Sequence, residues 1–133
     1  MIRVLIVDDS PTTSRILQEL LECDPDIEVV GLARDGQAAV DLTRQLKPHL
    51  ITMDVFMPVM DGLAATRQIM EQTPTPILIV SAQAENKDMN VVFEAMQAGA
   101  LDVMSKPSGF GLESPEWENE FLTKVKKLAN FRR

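Results

Sequence analysis

The sequence predicts an α/β domain built on a parallel sheet, and two observations support this. Four short apolar runs, VLIV, LITM, ILIV and LDVM, are each followed by a helical pattern. Apolar runs without alternating polar residues are typical of strands that helices cover on both faces. The second observation is that polar residues gather where these runs end, namely Asp8, Asp9, Asp54, Ser81 and Lys106. Because open parallel sheets bind ligands beyond the carboxyl ends of their strands, we expect a functional site there.

The chain begins with a strand, a helix and a second strand. Residues 2–7 form the first strand. Ser10-Pro11 then opens a helix, because serine caps free backbone N–H groups and proline is tolerated in the first turn. Residues 27–33 form the second strand. The buried stripe of the helix between them consists of Ile16, Leu17, Leu20 and Leu21.

The middle of the chain repeats this alternation of helix and strand. Asp35-Gly36 forms a turn before a short helix, which Pro48 ends because proline cannot continue it. Residues 49–53 form the third strand. The loop over residues 55–62 then leads into a helix over residues 63–71.

The last third of the chain adds two strands and two helices. Residues 77–80 form the fourth strand, and a helix over residues 90–98 ends at Gly99, which is suited to a left-handed conformation. Residues 101–104 form the fifth strand. The final helix lays one apolar face on the sheet, formed by Trp117, Phe121, Val125 and Leu128.

Length and composition fit one soluble domain over residues 1–133. The chain is 45% hydrophobic and 25% charged, as in ordinary globular proteins. Cys23 is the only cysteine, which excludes an internal disulfide and fits a reducing cytoplasm. No stretch approaches the roughly 18 apolar residues of a membrane span, and a net charge of −7 opposes nucleic-acid binding. We therefore expect a cytoplasmic protein with neither membrane insertion nor a nucleic-acid partner.

Three carboxylates are expected to share one crevice at the ends of the first and third strands. Asp8, Asp9 and Asp54 would repel one another there, and the usual remedies are a raised pKa or a bound cation. Oxygen ligands without a nearby His or Cys favour Mg²⁺ over Mn²⁺ or Ca²⁺. Mg²⁺ and Lys106 together balance the three negative charges. The sequence therefore predicts a magnesium site.

The same residues suit phosphoryl transfer. An ionised Asp54 can attack phosphorus without a general base. Ser81 and Lys106 would then supply a hydroxyl donor and a cation to the phosphoryl oxygens. Taken singly, each of these residues fits an ordinary turn or surface position equally well. Their occurrence at consecutive strand ends favours the site.

The motifs IRVLIVDDS, MDVFMPVMDG, VSA and KP, in this order and spacing, resemble the receiver domain of two-component response regulators. The resemblance covers essentially the whole chain and implies a flavodoxin-like three-layer sandwich with five parallel strands in the order 2-1-3-4-5. It implies the following roles: phosphoacceptor Asp54, Mg²⁺ ligands Asp9, Asp54 and the Phe56 carbonyl, a water-mediated Asp8, switch hydroxyl Ser81 and phosphate-contacting Lys106.

A narrower resemblance is carried by DDSPTTSRILQELL, DVFMPVMDGLAATRQIM and FEAMQAGALDVMSKPSG. These stretches are similar to the receiver of the chemotaxis protein-glutamate methylesterase, which implies a CheA-like histidine kinase as phosphodonor and a methylesterase domain as effector. The chain has no G-x-S-x-G elbow and a single histidine, so we expect the esterase domain to be absent from it. The alternative is a stand-alone or transcription-factor-derived receiver with a different output.

The switch is expected to differ from that of most receivers, which place an aromatic residue three positions before the lysine. Here that residue is Val103, so we expect the signal to leave by another path, such as the loop over residues 82–87. Trp117 is expected to lie too far from the pocket to report on it. The Lys106-Pro107 bond is expected to be cis.

Two rival functions share parts of this pattern. A haloacid-dehalogenase-type phosphatase also uses an aspartyl nucleophile and Mg²⁺, but it needs a second acid two residues later, where this chain has Phe56. A flavin or nucleotide carrier needs a glycine-rich or hydroxyl-rich loop after the first strand, which is missing. We expect Phe56 to shield the pocket mouth from water, and Gln83 to orient that water less effectively.

Overall fold

A computed structural model describes residues 1–82, 89–106 and 115–130, and within them a five-stranded parallel sheet. The strands are β1 (Ile2–Val7), β2 (Ile27–Ala33), β3 (Leu50–Met53), β4 (Ile77–Ser81) and β5 (Asp102–Ser105). The described helices are α1 (Pro11–Glu22), α2 (Gly36–Leu46), α3 (Gly62–Gln72), α4 (Met89–Ala98) and α5 (Pro115–Ala129). The strand order is β2-β1-β3-β4-β5, which confirms the predicted topology.

This order makes β1 and β3 neighbours at the centre of the sheet. Val7 pairs with Met53, and the backbone N–H of Asp54 donates to the Val7 carbonyl at 2.9 Å. The residues that follow these two strands, Asp8 and Asp54, therefore leave the sheet side by side. The polar ends of β1 and β3 are brought together by the topology alone.

Helices cover both faces of the sheet. On one face α2, α3 and α4 pack through a cluster that includes Val40, Ile69 and Ala95. On the other face α1 and α5 pack through a cluster that includes Leu17 and Phe121. Because apolar side chains cover both faces, the strands read as continuous apolar runs, and the predicted three-layer sandwich is confirmed.

Three helices begin with the side chain of a polar capping residue. Ser10, Asp35 and Asp61 each accept a hydrogen bond from the backbone N–H three residues later. Such caps satisfy N–H groups that have no partner within the helix. The predicted start at Ser10-Pro11 is confirmed, whereas Gly36 lies inside the first turn of α2 and not in a preceding turn.

The observed elements differ from the predicted ones mainly by one residue at their ends. Ser81 belongs to β4 and pairs with Ser105, so that β4 and β5 both extend further than the apolar runs indicated. Gly99 ends α4 with a φ of 116°, which confirms the predicted positive-φ terminator. Among the described residues, no helix combines the length and the apolar character needed to span a membrane.

Candidate functional site

Asp8, Asp9 and Asp54 come together at the carboxyl ends of β1 and β3. One carboxylate oxygen from each of the three lies within 4.8 Å of the other two. Asp8 is 2% exposed and Asp54 is 4% exposed, whereas Asp9 is exposed to solvent. The site thus has two buried acids and one acid at the opening, which lets a small ion reach the buried pair from solvent.

Backbone N–H groups orient the two buried carboxylates. The Ser10 N–H donates to Oδ1 of Asp8, and the Val55 N–H donates to Oδ1 of Asp54, both at 2.8 Å. In Asp54 the other oxygen, Oδ2, accepts from Lys106, whereas Lys106 contacts both oxygens of Asp8. The apolar runs and motifs did not reveal these donors, because any residue except proline supplies a backbone N–H.

Lys106 bridges the two buried acids from the end of β5. Its ammonium lies 3.0 Å from Oδ2 of Asp54 and 3.1 Å from Oδ2 of Asp8. Only 18% of the lysine side chain is exposed. The sequence-predicted lysine is therefore in direct contact with the predicted acids, 98 and 52 residues away in the chain.

The pocket is short of positive charge. Burial, followed by the nearby charge of Asp8, raises the pKa of Asp54 from 3.8 to about 6. Burial also raises the pKa of Asp8, although the Ser10 N–H and Lys106 oppose that rise. Burial works against the charged form of Lys106, but hydrogen bonds and charge from Asp54 and Asp8 outweigh it and raise the lysine pKa. One ammonium does not fully compensate two buried carboxylates, and Asp9 adds a third.

The donor set fits a hard divalent cation. All three acidic side chains offer oxygen, which Mg²⁺, Mn²⁺ and Ca²⁺ prefer, and no His or Cys stands among the clustered groups. The exposed Asp9 leaves room for water in the coordination sphere of such an ion. The Phe56 carbonyl, the fourth predicted ligand, stays a prediction.

Two glycines hold the loop that follows Asp54. The Gly62 N–H donates to the Val55 carbonyl at 2.7 Å, and the Gly36 N–H donates to the Met60 carbonyl at 2.8 Å. A Cβ on Gly62 would lie 1.8 Å from the carbonyl oxygen of Asp54, and one on Gly36 would lie 2.2 Å from that of Met60. Neither position admits a side chain, so these glycines keep the loop against the strand end that carries Asp54.

The tip of this loop is apolar and exposed. Phe56 is 59% exposed and Val59 is 83% exposed. Val59 has a φ of 69°, a left-handed value that a β-branched residue rarely adopts and that indicates backbone strain. The loop therefore has fixed ends and exposes Phe56 and Val59, whereas Met57 between them packs against the core.

Ser81 and Val103, the two predicted switch residues, lie on adjacent strands. Ser81 is completely buried at the end of β4. Val103 pairs with Ile79 and packs, partly buried, against the core cluster shared by α2, α3 and α4. Gln83, most of the loop over residues 82–87 and the Lys106-Pro107 bond lie outside the described residues.

Trp117 contacts the strand that ends at the pocket lysine. Its indole N–H donates to the carbonyl of Ser105, at 3.1 Å, and Ser105 directly precedes Lys106. The acceptor belongs to the peptide unit that joins Ser105 to Lys106, which argues against the expected remoteness of Trp117, while its response to binding in the pocket stays a prediction. Helical periodicity assigned this residue to packing alone, although a tryptophan near a helix start also carries a donor that needs a partner.

Comparisons with known proteins support the resemblance seen in the motifs. Residues 4–111 match the model of the response regulator receiver domain family. The protein-glutamate methylesterase/protein-glutamine glutaminase 2 of Methanospirillum hungatei is 48% identical over 132 residues, covering 97% of this chain and 37% of that protein. The corresponding protein of Methanococcoides burtonii is 46% identical over 130 residues, covering 98% of this chain and 36% of that protein. The chain thus spans little more than a third of the length of these relatives.

Solved structures give the same picture. The response regulator domain of Thermotoga maritima CheB superposes with a TM-score of 0.89 at 37% identity, covering 98% of this chain and 97% of that one. A chain of the CheX-CheY-BeF3-Mg+2 complex from Borrelia burgdorferi superposes with a TM-score of 0.80 at 26% identity, covering 95% of this chain and 87% of that one. The predicted family and the predicted fold are both confirmed.

Proposed function

The chain belongs to the response regulator receiver family, in the form found in CheB-type chemotaxis proteins, and we propose that Asp54 is its phosphoacceptor. The observation that carries this proposal is the contact of 3.0 Å between the Lys106 ammonium and Oδ2 of Asp54. A buried carboxylate held by a cation on one oxygen and by a backbone N–H on the other is oriented for attack on phosphorus. Residues 1–133 are then one receiver domain.

The proposed reaction is an in-line displacement at phosphorus. A carboxylate oxygen of Asp54 forms the new O–P bond while the P–N bond of a phosphohistidine breaks. The imidazole leaves with the electron pair of that bond, so no general base is needed. The Val55 N–H continues to hold Oδ1 of Asp54 and keeps the carboxylate in place.

Lys106 and Ser81 would bind the transferred group. The Lys106 ammonium already lies where negative charge is concentrated, and it can pass from Oδ2 of Asp54 to a phosphoryl oxygen with a small displacement. The Ser81 hydroxyl, at the end of the neighbouring strand β4, would donate to another phosphoryl oxygen. Through this second contact, phosphorylation would change the position of Ser81 and so of the end of β4.

We assign the cation site to Mg²⁺, with Asp9, Asp54 and the Phe56 carbonyl as ligands and Asp8 acting through water. When bound, Mg²⁺ neutralises charge on the phosphoryl oxygens and on the carboxylates. Burial raises the pKa of Asp8 and Asp54. A bound cation would therefore stabilise the ionised form of both carboxylates.

The partners follow from the relatives. We propose a CheA-like histidine kinase as phosphodonor, and a protein-glutamate methylesterase domain in the parent protein as the effector that phosphorylation activates. Both place the protein in the cytoplasm. The face that would cover the effector includes α5 and the region of α4 near Met96, which is 46% exposed. This face extends to the region near Val103 of β5, the strand that Lys106 directly follows.

Phosphorylation by acetyl phosphate tests the proposed acceptor. In the presence of Mg²⁺ the wild-type domain should take up one phosphoryl group, and peptide mapping after borohydride trapping should place it at Asp54. Asp54→Asn should abolish the modification. Asp41→Asn, which removes a half-exposed acid of α2, should leave it unchanged. A phosphoryl group on Asp8 or Asp9 would contradict the proposal.

The effector is tested with the longer protein. Joining the receiver to the methylesterase domain of its parent should give an esterase whose activity rises with acetyl phosphate in the wild type but not in Asp54→Asn. Equal activity with and without the phosphodonor would exclude a methylesterase output. A stand-alone output would then be the better explanation.

A further inference from the structure

The end of β5 needs support from outside the sheet. Within the part of the sheet that the structure describes, β5 is an edge strand that pairs with β4 alone. The last described pair of this ladder joins Ser81 to Ser105, and Lys106 follows directly. An edge strand whose ladder stops is held by few backbone bonds, so the position of the next residue depends on other contacts. The indole N–H of Trp117, which donates to the Ser105 carbonyl, is such a contact.

Trp117 is itself anchored in the core. Its ring stacks on Phe121 with ring centroids 5.1 Å apart and planes 17° from parallel. Phe121 is completely buried in the cluster shared by α1 and α5. The indole is thus fixed on one side by the hydrophobic core and bonded on the other to the strand that presents Lys106. A fixed donor of this kind restrains the peptide unit that precedes the lysine.

A second contact ties α5 to the opposite end of β5. The Lys124 ammonium lies 2.8 Å from Oδ2 of Asp102, the first residue of the strand. α5 therefore bonds to the first and the last residue of β5. Of these two contacts, only the one from Trp117 lies next to the pocket. Removal of the Lys124 contact therefore serves as a control for a general loosening of α5 from β5.

We propose that Trp117 is a positioning residue for Lys106 and that, through Ser105, it reports the occupancy of the carboxylate pocket to α5. The inference rests on the proposed function, because the lysine has to pass from Asp54 to a phosphoryl oxygen. As Lys106 moves, the Ser105 carbonyl moves with it, and the indole that is bonded to that carbonyl follows. α5 then receives the signal through the hydrogen bond from Trp117 to Ser105. This path does not need the aromatic switch residue that most receivers have at the position of Val103.

The composition of the chain makes this link directly observable. Trp117 is the only tryptophan and the chain has no tyrosine, so its fluorescence and its single indole N–H resonance arise from one residue. Addition of Mg²⁺ and beryllofluoride should shift that resonance in the wild type. The shift should be largely lost in Lys106→Ala, although the anion still binds at Asp54. An unchanged indole signal in a wild-type protein that is shown by fluorine NMR to hold beryllofluoride would overturn the proposal.

Two substitutions separate positioning from packing. Trp117→Phe removes the indole N–H and keeps an aromatic ring against Phe121. Benzothienylalanine at position 117 replaces only the N–H by sulfur and keeps the shape of the side chain. Both should lower the rate of phosphorylation by acetyl phosphate about fivefold, the effect of losing one hydrogen bond. Neither should lower it further in a Lys106→Ala background, because the two residues act in one chain of contacts.

Lys124→Ala is the matched control. It breaks the other tie between α5 and β5 at the far end of the strand, so it should lower thermal stability and leave the phosphorylation rate unchanged. If Trp117→Phe and the benzothienylalanine protein behave in the same way, with lower stability and a wild-type rate, Trp117 has only a packing role and the inference is wrong.

Failure of the inference can be told from failure of the proposed function. A wild-type protein that acetyl phosphate does not modify at Asp54 would refute the function. The indole resonance still decides the link in that case, because Lys106→Ala should shift it in the free protein if the lysine and the indole are coupled through Ser105. An unmoved resonance would overturn the inference independently.

Discussion

Two regions of this molecule each hold a lysine against two aspartates, with opposite electrostatic results. At the pocket Lys106 contacts Asp8 and Asp54, and burial raises the pKa of both acids. Before β2, Lys126 of α5 contacts Asp24 at 2.5 Å, with Asp26 at 4.0 Å, and the hydrogen bond from the lysine lowers the pKa of Asp24. The Asp24 side chain is 12% exposed, but Lys126 and Asp26 are 42% and 76% exposed, so this cluster is more open to water than the pocket. The pairing is the same and the burial differs, so desolvation is what turns a lysine and two acids into a site that attracts further positive charge.

The largest expected effect comes from removing the lysine in each region. Lys106→Ala leaves two buried carboxylates without their cation and should lower the free energy of unfolding at neutral pH by about 3 kcal/mol. Lys126→Ala removes a lysine whose side chain is 42% exposed, so it should lower the urea midpoint less than Lys106→Ala does. Urea unfolding of both variants measures this contrast. Equal losses would mean that burial does not distinguish the two clusters.

Raising the pH should change the free energy of unfolding in opposite directions through Asp54 in the pocket and through Asp24 beside Lys126. The pKa of Asp54 is about 6 in the folded state and 3.8 in the unfolded reference, so its stabilising contribution is complete below 3.8 and is lost as pH rises through about 6. Relative to Asp54→Asn, the metal-free wild type should lose about 3 kcal/mol over this range.

Asp24 should behave in the opposite sense. Its pKa is lowered in the folded state, so its contribution is present above 3.8 and is lost as pH falls through the folded value. Urea unfolding as a function of pH, for Asp24→Asn and for Asp54→Asn beside the wild type, measures both contributions.

For Asp54, a wild-type protein that gains stability relative to Asp54→Asn as the pH rises would contradict the effect of burial on its pKa.

Mg²⁺ should bind in the first region only. Calorimetry should show weak binding by the wild type, none by Asp9→Ala or Asp54→Ala, and unchanged binding by Asp24→Ala. The reason is that one oxygen from each of Asp8, Asp9 and Asp54 lies within 4.8 Å of the others. Wild-type affinity in both pocket variants would remove the metal assignment.

The smallest predicted effect concerns the loop tip beside the pocket. Phe56→Asn should shorten the lifetime of phosphorylated Asp54 severalfold, because the exposed ring is expected to hinder the attacking water. Release of phosphate after removal of the donor measures this lifetime. Gln83→Ala should change it less, and Val103→Tyr should alter switching without preventing phosphorylation. A lifetime that is unchanged or longer in Phe56→Asn would show that the ring does not guard the site.

The fold and the set of pocket residues could be predicted because both are visible in the order of residues along the chain. β1 and β3 are continuous apolar runs that end in acids, and Asp54 follows its strand directly. Charged and hydroxyl side chains that directly follow apolar strands can be recognised from the sequence alone. The extension of β4 to Ser81 was missed, since its signal lies in the pairing of Ser81 with Ser105 and not in either residue alone.

Contacts that depend on backbone groups or on distant packing could not be predicted. The N–H of Val55 is chemically like that of any other residue, yet it orients Asp54. The bond from Trp117 to Ser105 joins a helix to a strand edge, and helical periodicity identifies only the apolar side of such a residue. The sequence therefore shows which groups are reactive, and the structure is needed to show which groups hold them.

Two glycines contact the loop after Asp54, Gly62 at its end and Gly36 at the start of α2, and their freedom to change differs from that of the loop tip. Gly36 and Gly62 tolerate no side chain, so a substitution at either position would displace the loop that follows the acceptor. Phe56 and Val59 at the tip are exposed to solvent. We therefore predict that substitutions at the tip change the lifetime of phosphorylated Asp54 more than they change the ability of the domain to accept the phosphoryl group.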